Sequence, residues 1–476
     1  MNNDFKSGII FTALGQYGNV VIQFILNMIL SRMLTPREFG VVAIIQVFAL
    51  FFQVLSSLSI VPAIVQNKFL EEKDYGVIFN YTIIFGLLMA VLFGFSGELL
   101  AIIFRDKIYI SLSWIMAILI MADFIGSVPT AILSKKKEFK VINIRLLIGS
   151  VIGAIIGIIV AFFHIGIYAL LIVLIVPALV SLIFNLFFVR ISYTKSLSSE
   201  PVKKIIFFVK YQAAFSFINY IYRNLDNLLI GRYLGATNLG DYSKSYQLIS
   251  FPITVFLGVI SPVIQPILSE HEKNKQLIKE TYLNISKLLA LMAIPLSVFL
   301  CLNSDKIIYL LFGPQWQGAV LPFSILCLSI WAQMLAQLVS VIWQSRNLPR
   351  IQMINGLISL VIIGGAIITG IIFGNLESVA LAVAISYVIN FIVSSGMLLK
   401  FGLDGSFWQM LKAISKPLIS GIIIFIILFI VQPYINFASL FLTLFARGVI
   451  WLIIVFVLLI LMNDLQTLRK LTRAGN

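Results

Sequence analysis

The chain has 476 residues, of which 60% are hydrophobic and only 11% charged, and its mean hydropathy is +1.05. Soluble domains carry roughly 25% charged residues, so this composition excludes a water-soluble globular protein and points to a polytopic membrane protein built of helices. A formal net charge of +15 raises the question of nucleic acid, which the placement of the basic residues answers below.

Fourteen apolar runs are predicted to span a membrane: 7–31, 39–66, 76–97, 109–133, 142–163, 166–189, 206–231, 241–266, 280–302, 319–344, 351–373, 377–399, 415–434 and 440–462. Each is close to the ~20 residues that cross ~30 Å of hydrocarbon as a helix. The first follows "MNNDFK" but contains Gln16, Asn19 and Gln23, continues past Asn27 and shows no small-residue cleavage site, so it reads as a retained span and not a signal peptide.

With the N-terminus inside, 24 of the 34 Lys and Arg residues fall on the cytoplasmic side, among them Lys135, Lys136, Lys137, Lys140 and Arg145. Counting residues near the span ends with the side they adjoin, seven fall outside (Arg32, Arg37, Arg105, Lys107, Arg232, Lys244 and Lys306), and three (Arg223, Lys287 and Arg447) stand well inside spans. This asymmetry is the positive-inside rule, which places both termini in the cytoplasm. The basic run "SKKKEFK" then faces anionic lipid headgroups, and no nucleic-acid partner is expected. Cys301 and Cys327 form a lone pair, and His164 and His271 lie on opposite sides, so neither a disulfide framework nor a metal cluster follows, and no cofactor is expected.

The chain repeats itself. A shift of 200 residues pairs Ala13 with Ala213, Asn19 with Asn219, Asn27 with Asn227, Arg32 with Arg232, Leu34 with Leu234, Gly40 with Gly240 and Pro62 with Pro262. Recurrence of Asn, Arg, Gly and Pro at fixed offsets marks a duplicated unit more surely than shared apolarity does. A weaker echo pairs "LLAIIF" at 99–104 with "IYLLFG" at 308–313. Six spans separate the copies, so both enter the membrane in the same direction and are related by an axis along the membrane normal. The expected architecture is an all-α polytopic membrane protein with two six-helix lobes, 1–196 and 197–400, and a pair of C-terminal helices in 401–476.

Polar residues inside the spans are the candidate site. Gln16, Asn19, Gln23 and Asn27 recur at steps of three and four on one face of span one. Span seven carries Asn219, Arg223, Asp226 and Asn227, with Arg223 at the repeat position of Gln23. Such groups avoid lipid, so they line a water-filled cavity or bond neighbouring helices, and the pattern alone leaves both open. Arg223 and Asp226, one turn apart, can neutralise one another at rest and separate when a ligand arrives. Further candidates are Gln333 and Gln337 in span ten, Asp123 in span four, Lys287 in span nine and Arg447 in span fourteen. Gly149, Gly153 and Gly157 form a GxxxGxxxG packing series. No phosphate-binding loop, HExxH, nucleophile elbow or kinase signature occurs, and the outer loops are short, so an enzyme is not expected.

The stretches "INYIYRNLDNLLIGRYLGATNLGDYSKSY" (218–246), "LSRMLTPREFGVVAI" (30–44) and "LLFGPQWQGAV" (310–320) resemble the polysaccharide transport family, the Wzx and teichuronic-acid type flippases of the MOP exporter superfamily. The resemblance covers nearly the whole chain. It implies a MOP/MATE-like fold with a central cavity, and translocation of undecaprenyl-diphosphate-linked oligosaccharide from the inner to the outer leaflet of the bacterial plasma membrane. Members' cavities are typically cationic, whereas only Arg223, Lys287 and Arg447 are intramembrane cations here. Amides suit hydroxyl-rich sugars, and Asp226 and Asp123 are the candidates for proton or sodium coupling. The alternatives are a drug or small-molecule antiporter of the same superfamily, and a membrane-embedded polysaccharide polymerase.

The topology has a direct test. Single cysteines in the 134–140 loop should resist a membrane-impermeant thiol reagent in intact cells, while cysteines near Ala236 should react; the reverse pattern rules the orientation out.

Overall fold

A computed structural model describes residues 3–191 and 198–461, with side-chain surroundings for all of these except 3–14, 214, 215, 218, 219, 221–223, 259, 262 and 263. The centre of the linker, 192–197, and the basic tail with Arg469, Lys470 and Arg473 lie outside the described residues. The first half contains α1 (Asn3–Met33), α2 (Pro36–Leu55), α3 (Ser57–Gln66), α4 (Glu72–Phe104), α5 (Ile108–Lys135), α6 (Phe139–Phe162), α7 (Ile167–Phe188) and α8 (Glu200–Tyr233). The second contains α9 (Gly235–Glu270), α10 (Lys275–Leu302), α11 (Ser304–Leu311), α12 (Gln317–Cys327), α13 (Ile330–Ser345), α14 (Pro349–Ile372), α15 (Leu376–Met397), α16 (Phe407–Val431) and α17 (Leu440–Leu461). Among the described residues there is no strand, as hydrocarbon demands of a chain that is not a closed barrel.

Every predicted span lies on helix, with two of them broken. At Ser56 the backbone leaves helical geometry (φ −98°, ψ −103°) between α2 and α3, and the Ser59 hydroxyl donates to the Val54 carbonyl at the break. The α12–α13 pair is bent by 56°. Ten helical stretches among the described residues are long and apolar enough to cross a membrane, or eleven if that bent pair counts as one, which is fewer than the fourteen expected. Helices α1, α8 and α9, with 31, 34 and 36 residues, are long enough to do so as well.

The chain divides into two compact units, Met1–Gly240 and Asp241–Asn476. The first runs past the 196/197 boundary expected from the sequence and takes in α8, because α8 packs on α2, α3 and α4. Phe217 and Tyr220 of α8 meet Phe51 of α2 at centroid distances of 5.5 and 6.2 Å, and the Tyr220 hydroxyl donates to the Val47 carbonyl at 2.9 Å. Within this unit α5 packs on α2, α3, α4 and α7, while α6 lies between α1 and α7. The glycine series is a packing surface, as expected: a Cβ at Gly149 or Gly153 would lie 3.1 or 3.0 Å from Pro177 of α7, and one at Gly157 would strike Val173.

The duplicated turn is built by different chemistry in its two copies. In the first, Thr35 caps α2: its hydroxyl accepts from the Glu38 amide at 3.4 Å, the Glu38 carboxylate accepts from the Thr35 amide at 2.8 Å, and Pro36 takes the first helical position. In the second, Gly235 turns the chain at φ +89°. The two turns meet backbone to backbone. A Cβ on Gly40 would overlap the Ala236 carbonyl, and one on Gly240 the Pro36 carbonyl. The 200-residue shift exchanges the members of these contacts, so the pairing is reciprocal, as across a two-fold axis.

Further along, the repeat is carried by helix length. α6 and α14 have 24 residues each, beginning at 139 and 349, and α7 and α15 have 22 each, beginning at 167 and 376. The echo between 99–104 and 308–313 differs in form: the first stretch is the last turns of α4, whereas the second is mostly the separate helix α11, followed by Gly313 at φ +100°.

In the second unit α10 packs on α12, α13 and α16, and α14 pairs with α15. The expected separate segment 401–476 joins this unit, with α16 and α17 both against α10. Arg447 of α17, 4% exposed, holds the turn before it. Its Nε donates to Ile435 O at 3.1 Å, Nη2 to Gln432 O and Asn436 Oδ1 at 2.8 and 2.9 Å, and Nη1 to Asn303 Oδ1 at 3.0 Å. Trp451 Nε1 adds a bond to the Pro295 carbonyl at 3.1 Å.

Two stability predictions follow from these contacts. Gly40→Ala and Gly240→Ala should each lower the thermal unfolding midpoint in detergent, consistent with the ~1–3 kcal/mol cost of overpacking; unchanged melting would mean that the crossing has room for a side chain. Arg447→Leu strands four protein acceptors and should remove at least about 2 kcal/mol, with Arg447→Lys intermediate.

Candidate substrate-facing site

Three faces can be distinguished on α1. One packs on α6: Gly15 lies against Asn143, Gly18 against Leu147, and Asn19 accepts a 2.6 Å bond from the Ser150 hydroxyl. A second exposes Tyr17, Val21 and Ile25, an apolar surface fit for lipid. Gln16, Gln23 and Asn27 occupy the third, with Gln16 exposed and the other two half-buried, and Asn27 Nδ2 bonds back to the Gln23 carbonyl at 2.8 Å. Of the expected stripe, Asn19 thus serves helix packing, while the remaining three share a polar face that is neither the packed nor the apolar one.

On α8, Asp226 and Asn227 are half-buried, and Asp226 Oδ1 accepts from the Asn227 amide at 2.8 Å. The side chains of Asn219 and Arg223 lie outside those described, so the Arg223–Asp226 pairing remains an expectation. Gly231, further along α8, lies against Ile44 of α2, which holds this helix to the turn region.

Asp123 of α5 is hydrogen-bonded by the Gln53 side chain of α2, while its Oδ2 is buried without a partner. A buried carboxylate oxygen lacking a donor is a place for a proton or a small cation. In the second unit Gln333 is 4% exposed and its Nε2 donates at 2.9 Å to Oγ of Ser329, the residue before α13, whereas Gln337 is exposed and Lys287 of α10 is half-buried. Arg447 was expected to bind substrate; with four bonds to protein acceptors its guanidinium is committed to the turn, so it is a clamp.

Two cations counted with the cytoplasmic and outer sides turn out to be buried. Arg145 is buried in α6, and Lys244 of α9 is 2% exposed, with Nζ 5.0 and 5.6 Å from the ring centroids of Phe312 and Trp316. One turn before Lys244, Asp241 is 5% exposed, with its carboxylate against Gly318. Ser245 Oγ bonds the Ala319 carbonyl at 2.9 Å. The stretches "GDYSKSY" and "LLFGPQWQGAV" are therefore distinctive in sequence because they pack on each other. The signal was present: Asp241, Lys244 and Ser245 share a helix face by spacing.

The family model described as polysaccharide biosynthesis protein matches residues 29–321. The chain is 24% identical over 430 residues to the teichuronic acid biosynthesis protein TuaB of Bacillus subtilis, covering 89% of each chain. To the succinoglycan biosynthesis transport protein ExoT of Rhizobium meliloti it is 24% identical over 320 residues, covering 67% of this chain and 65% of that one. Among solved structures, the lipid II flippase MurJ in an inward closed conformation superposes with a TM-score of 0.75 at 16% identity, over 96% of this chain and 99% of that one. An inward-facing multidrug resistance MATE transporter of the MOP superfamily superposes at 0.59 and 12% identity, over 83% and 94%. The chain belongs to the polysaccharide biosynthesis protein family and is a multi-pass membrane protein with the fold that MurJ and the MATE transporters share.

Proposed function

We propose that this chain is a flippase that carries undecaprenyl-diphosphate-linked oligosaccharide from the inner to the outer leaflet of the bacterial plasma membrane, by alternating access, for cell-surface polysaccharide export. Fourteen crossings with both termini in the cytoplasm complete the reading. The observation that carries it is the third face of α1, where Gln16, Gln23 and Asn27 are set apart by helical spacing both from Gly15, Gly18 and Asn19, which meet α6, and from the exposed apolar Tyr17, Val21 and Ile25. A diphosphate and several sugars cannot cross hydrocarbon unaided; they need a wet groove lined by hydrogen-bonding groups, with the polyprenyl tail left in lipid. The names of TuaB, a teichuronic acid biosynthesis protein, and ExoT, a succinoglycan biosynthesis transport protein, favour that cargo over a drug.

Arg223 engages the diphosphate, since its planar fork meets phosphate oxygens in pairs and stays charged at physiological pH. Asn219, Asn227, Gln23, Asn27 and Gln16 bind sugar hydroxyls, and within the second unit Lys287 and Gln337 are the residues assigned to cargo. Asp226 restrains the unloaded Arg223. Asp123, with its unpartnered Oδ2, couples the cycle to a proton or sodium ion.

The test is flipping of a fluorescent lipid-linked oligosaccharide in proteoliposomes, normalised to folded protein. Arg223→Gln should reduce the rate at least tenfold and Arg223→Lys much less; wild-type flipping by Arg223→Gln overturns the site. Asp226→Asn should retain binding while slowing turnover. Asp123→Asn keeps an oxygen for the Gln53 bond, so it should leave binding intact but abolish the response to an imposed ion gradient. A response equal to wild type would remove Asp123 from the coupling role.

A further inference from the structure

Near the junction of α5 and α6, Arg145 stands seven residues into α6 and is only 7% exposed. Among the described residues its guanidinium reaches a single acceptor, Thr130 Oγ1 of α5, with Nη1 and Nη2 both at 3.3 Å. The same oxygen receives Asn185 Nδ2 of α7 at 3.0 Å. A hydroxyl oxygen offers two lone pairs and a guanidinium five N–H donors. Three donors therefore converge on one oxygen while the rest of the fork is unmatched, and no carboxylate among the described residues pairs with it. The buried Oδ1 of Asn185 is without a donor, so neutral acceptors are not exhausted here; what the junction lacks among the described residues is an anion for the guanidinium's charge.

The second unit provides an internal comparison. The shift of 210 that matches α6 to α14 puts Asn355 where Arg145 stands. There α14 and α15 are joined by neutral groups: the hydroxyls of Ser359 and Ser394 both donate to Asn390 Oδ1, at 2.6 and 3.3 Å. Holding these helices together thus requires no charge, so packing alone does not account for the arginine.

Depth limits what the missing anion can be. Arg145 lies about 9 Å along the helix from Phe139 at ~1.5 Å per residue, comparable with the ~5–7 Å headgroup layer on each side of the hydrocarbon. Lys135, Lys136, Lys137 and Lys140 surround that end of the helices in sequence. Phosphate groups of membrane lipids occupy this layer, and a guanidinium fork matches phosphate oxygens in pairs.

We propose that Arg145, with Asn185, forms a binding site for a lipid-borne phosphate, which enters at the α5–α6–α7 junction and takes the guanidinium from the Thr130 hydroxyl. The phosphate comes either from a phospholipid headgroup or from the diphosphate of a lipid carrier. The site is read by binding and not by transport, so its fate is independent of the flippase proposal.

The experiment is thermal unfolding of the full-length, delipidated protein in detergent, titrated separately with dihexanoyl phosphatidylglycerol and with inorganic diphosphate. At least one of the two should raise the melting midpoint saturably, with half-saturation at least tenfold weaker in Arg145→Gln. A response to diphosphate points to a carrier, and a response to the phospholipid alone points to a headgroup. Asn355→Ala, at the matching place in the second unit, should titrate like wild type. Thr130→Val removes the protein's own acceptor and should bind as tightly as wild type or tighter, whereas a purely structural arginine would lose stability with no Arg145-dependent titration. If Arg145→Gln does not fold, Arg145→Lys and Thr130→Val decide the matter, with Arg145→Lys expected to bind several-fold more weakly. The proposal is overturned if neither phosphate shifts the wild-type midpoint, or if the Arg145 variants titrate like wild type.

Discussion

Hydrocarbon supplies no hydrogen-bond partners, and most of this structure is a response to that fact. The backbone satisfies itself as helix throughout the described residues, and where it cannot, a side chain intervenes: Ser59 at the α2–α3 break, Arg447 at the turn before α17. The same constraint sorts the polar side chains. Those that find partners inside the bundle, such as Asn19 with Ser150 or Ser359 with Asn390, hold helices together. The Gln16, Gln23 and Asn27 face of α1 is turned away from the α6 contact, and it is where cargo chemistry is expected.

The duplication is most informative where its copies differ. The first two helices of each half keep a strict 200-residue register through the reciprocal Gly40 and Gly240 contacts, because a backbone crossing tolerates no side chain on either partner. Elsewhere the constraint is helix length and not identity, as α6 with α14 and α7 with α15 show. Freed from identity, one copy holds its helix pair with Ser359, Asn390 and Ser394, while the other carries a guanidinium at the matching depth. Duplication followed by local change is a route by which a symmetric scaffold acquires an asymmetric site.

Buried charge is treated in several ways here, and Asp74 is ion-paired with Lys204 at 2.8 Å. Arg447 is bonded to oxygens of the turn and of Asn303 and is part of the scaffold. Lys244 rests on the faces of Phe312 and Trp316, whose ring quadrupoles attract its charge. Arg145, the Oδ2 oxygen of Asp123 and the Oδ1 oxygen of Asp241 are the least provided for, the first with one shared hydroxyl and the two oxygens with no donor. Burial that leaves an ionisable group poorly partnered is costly, so such groups are where function is sought first.

The sequence by itself determined that this is a multi-span helical membrane protein, that its halves are related, and that α1 and α8 carry polar stripes. Each of these is periodic along the chain, and periodicity is local information. The GxxxGxxxG surface was equally legible, since small residues at steps of four can only mean close approach. What tertiary structure alone decided was which neighbour each polar residue meets. Arg145 and Lys244 stand so near the ends of their spans that the charge count gave them to the cytoplasmic and outer sides, and burial by helices distant in sequence placed them inside. Arg447 looked like a cargo ligand because an arginine in an apolar run is conspicuous. Its acceptors, Asn303 above all, lie up to 144 residues away, a relation that no spacing along the chain encodes. The placement of α8 with the first unit was decided in the same manner, by its aromatic contacts with α2 and not by its position after the linker.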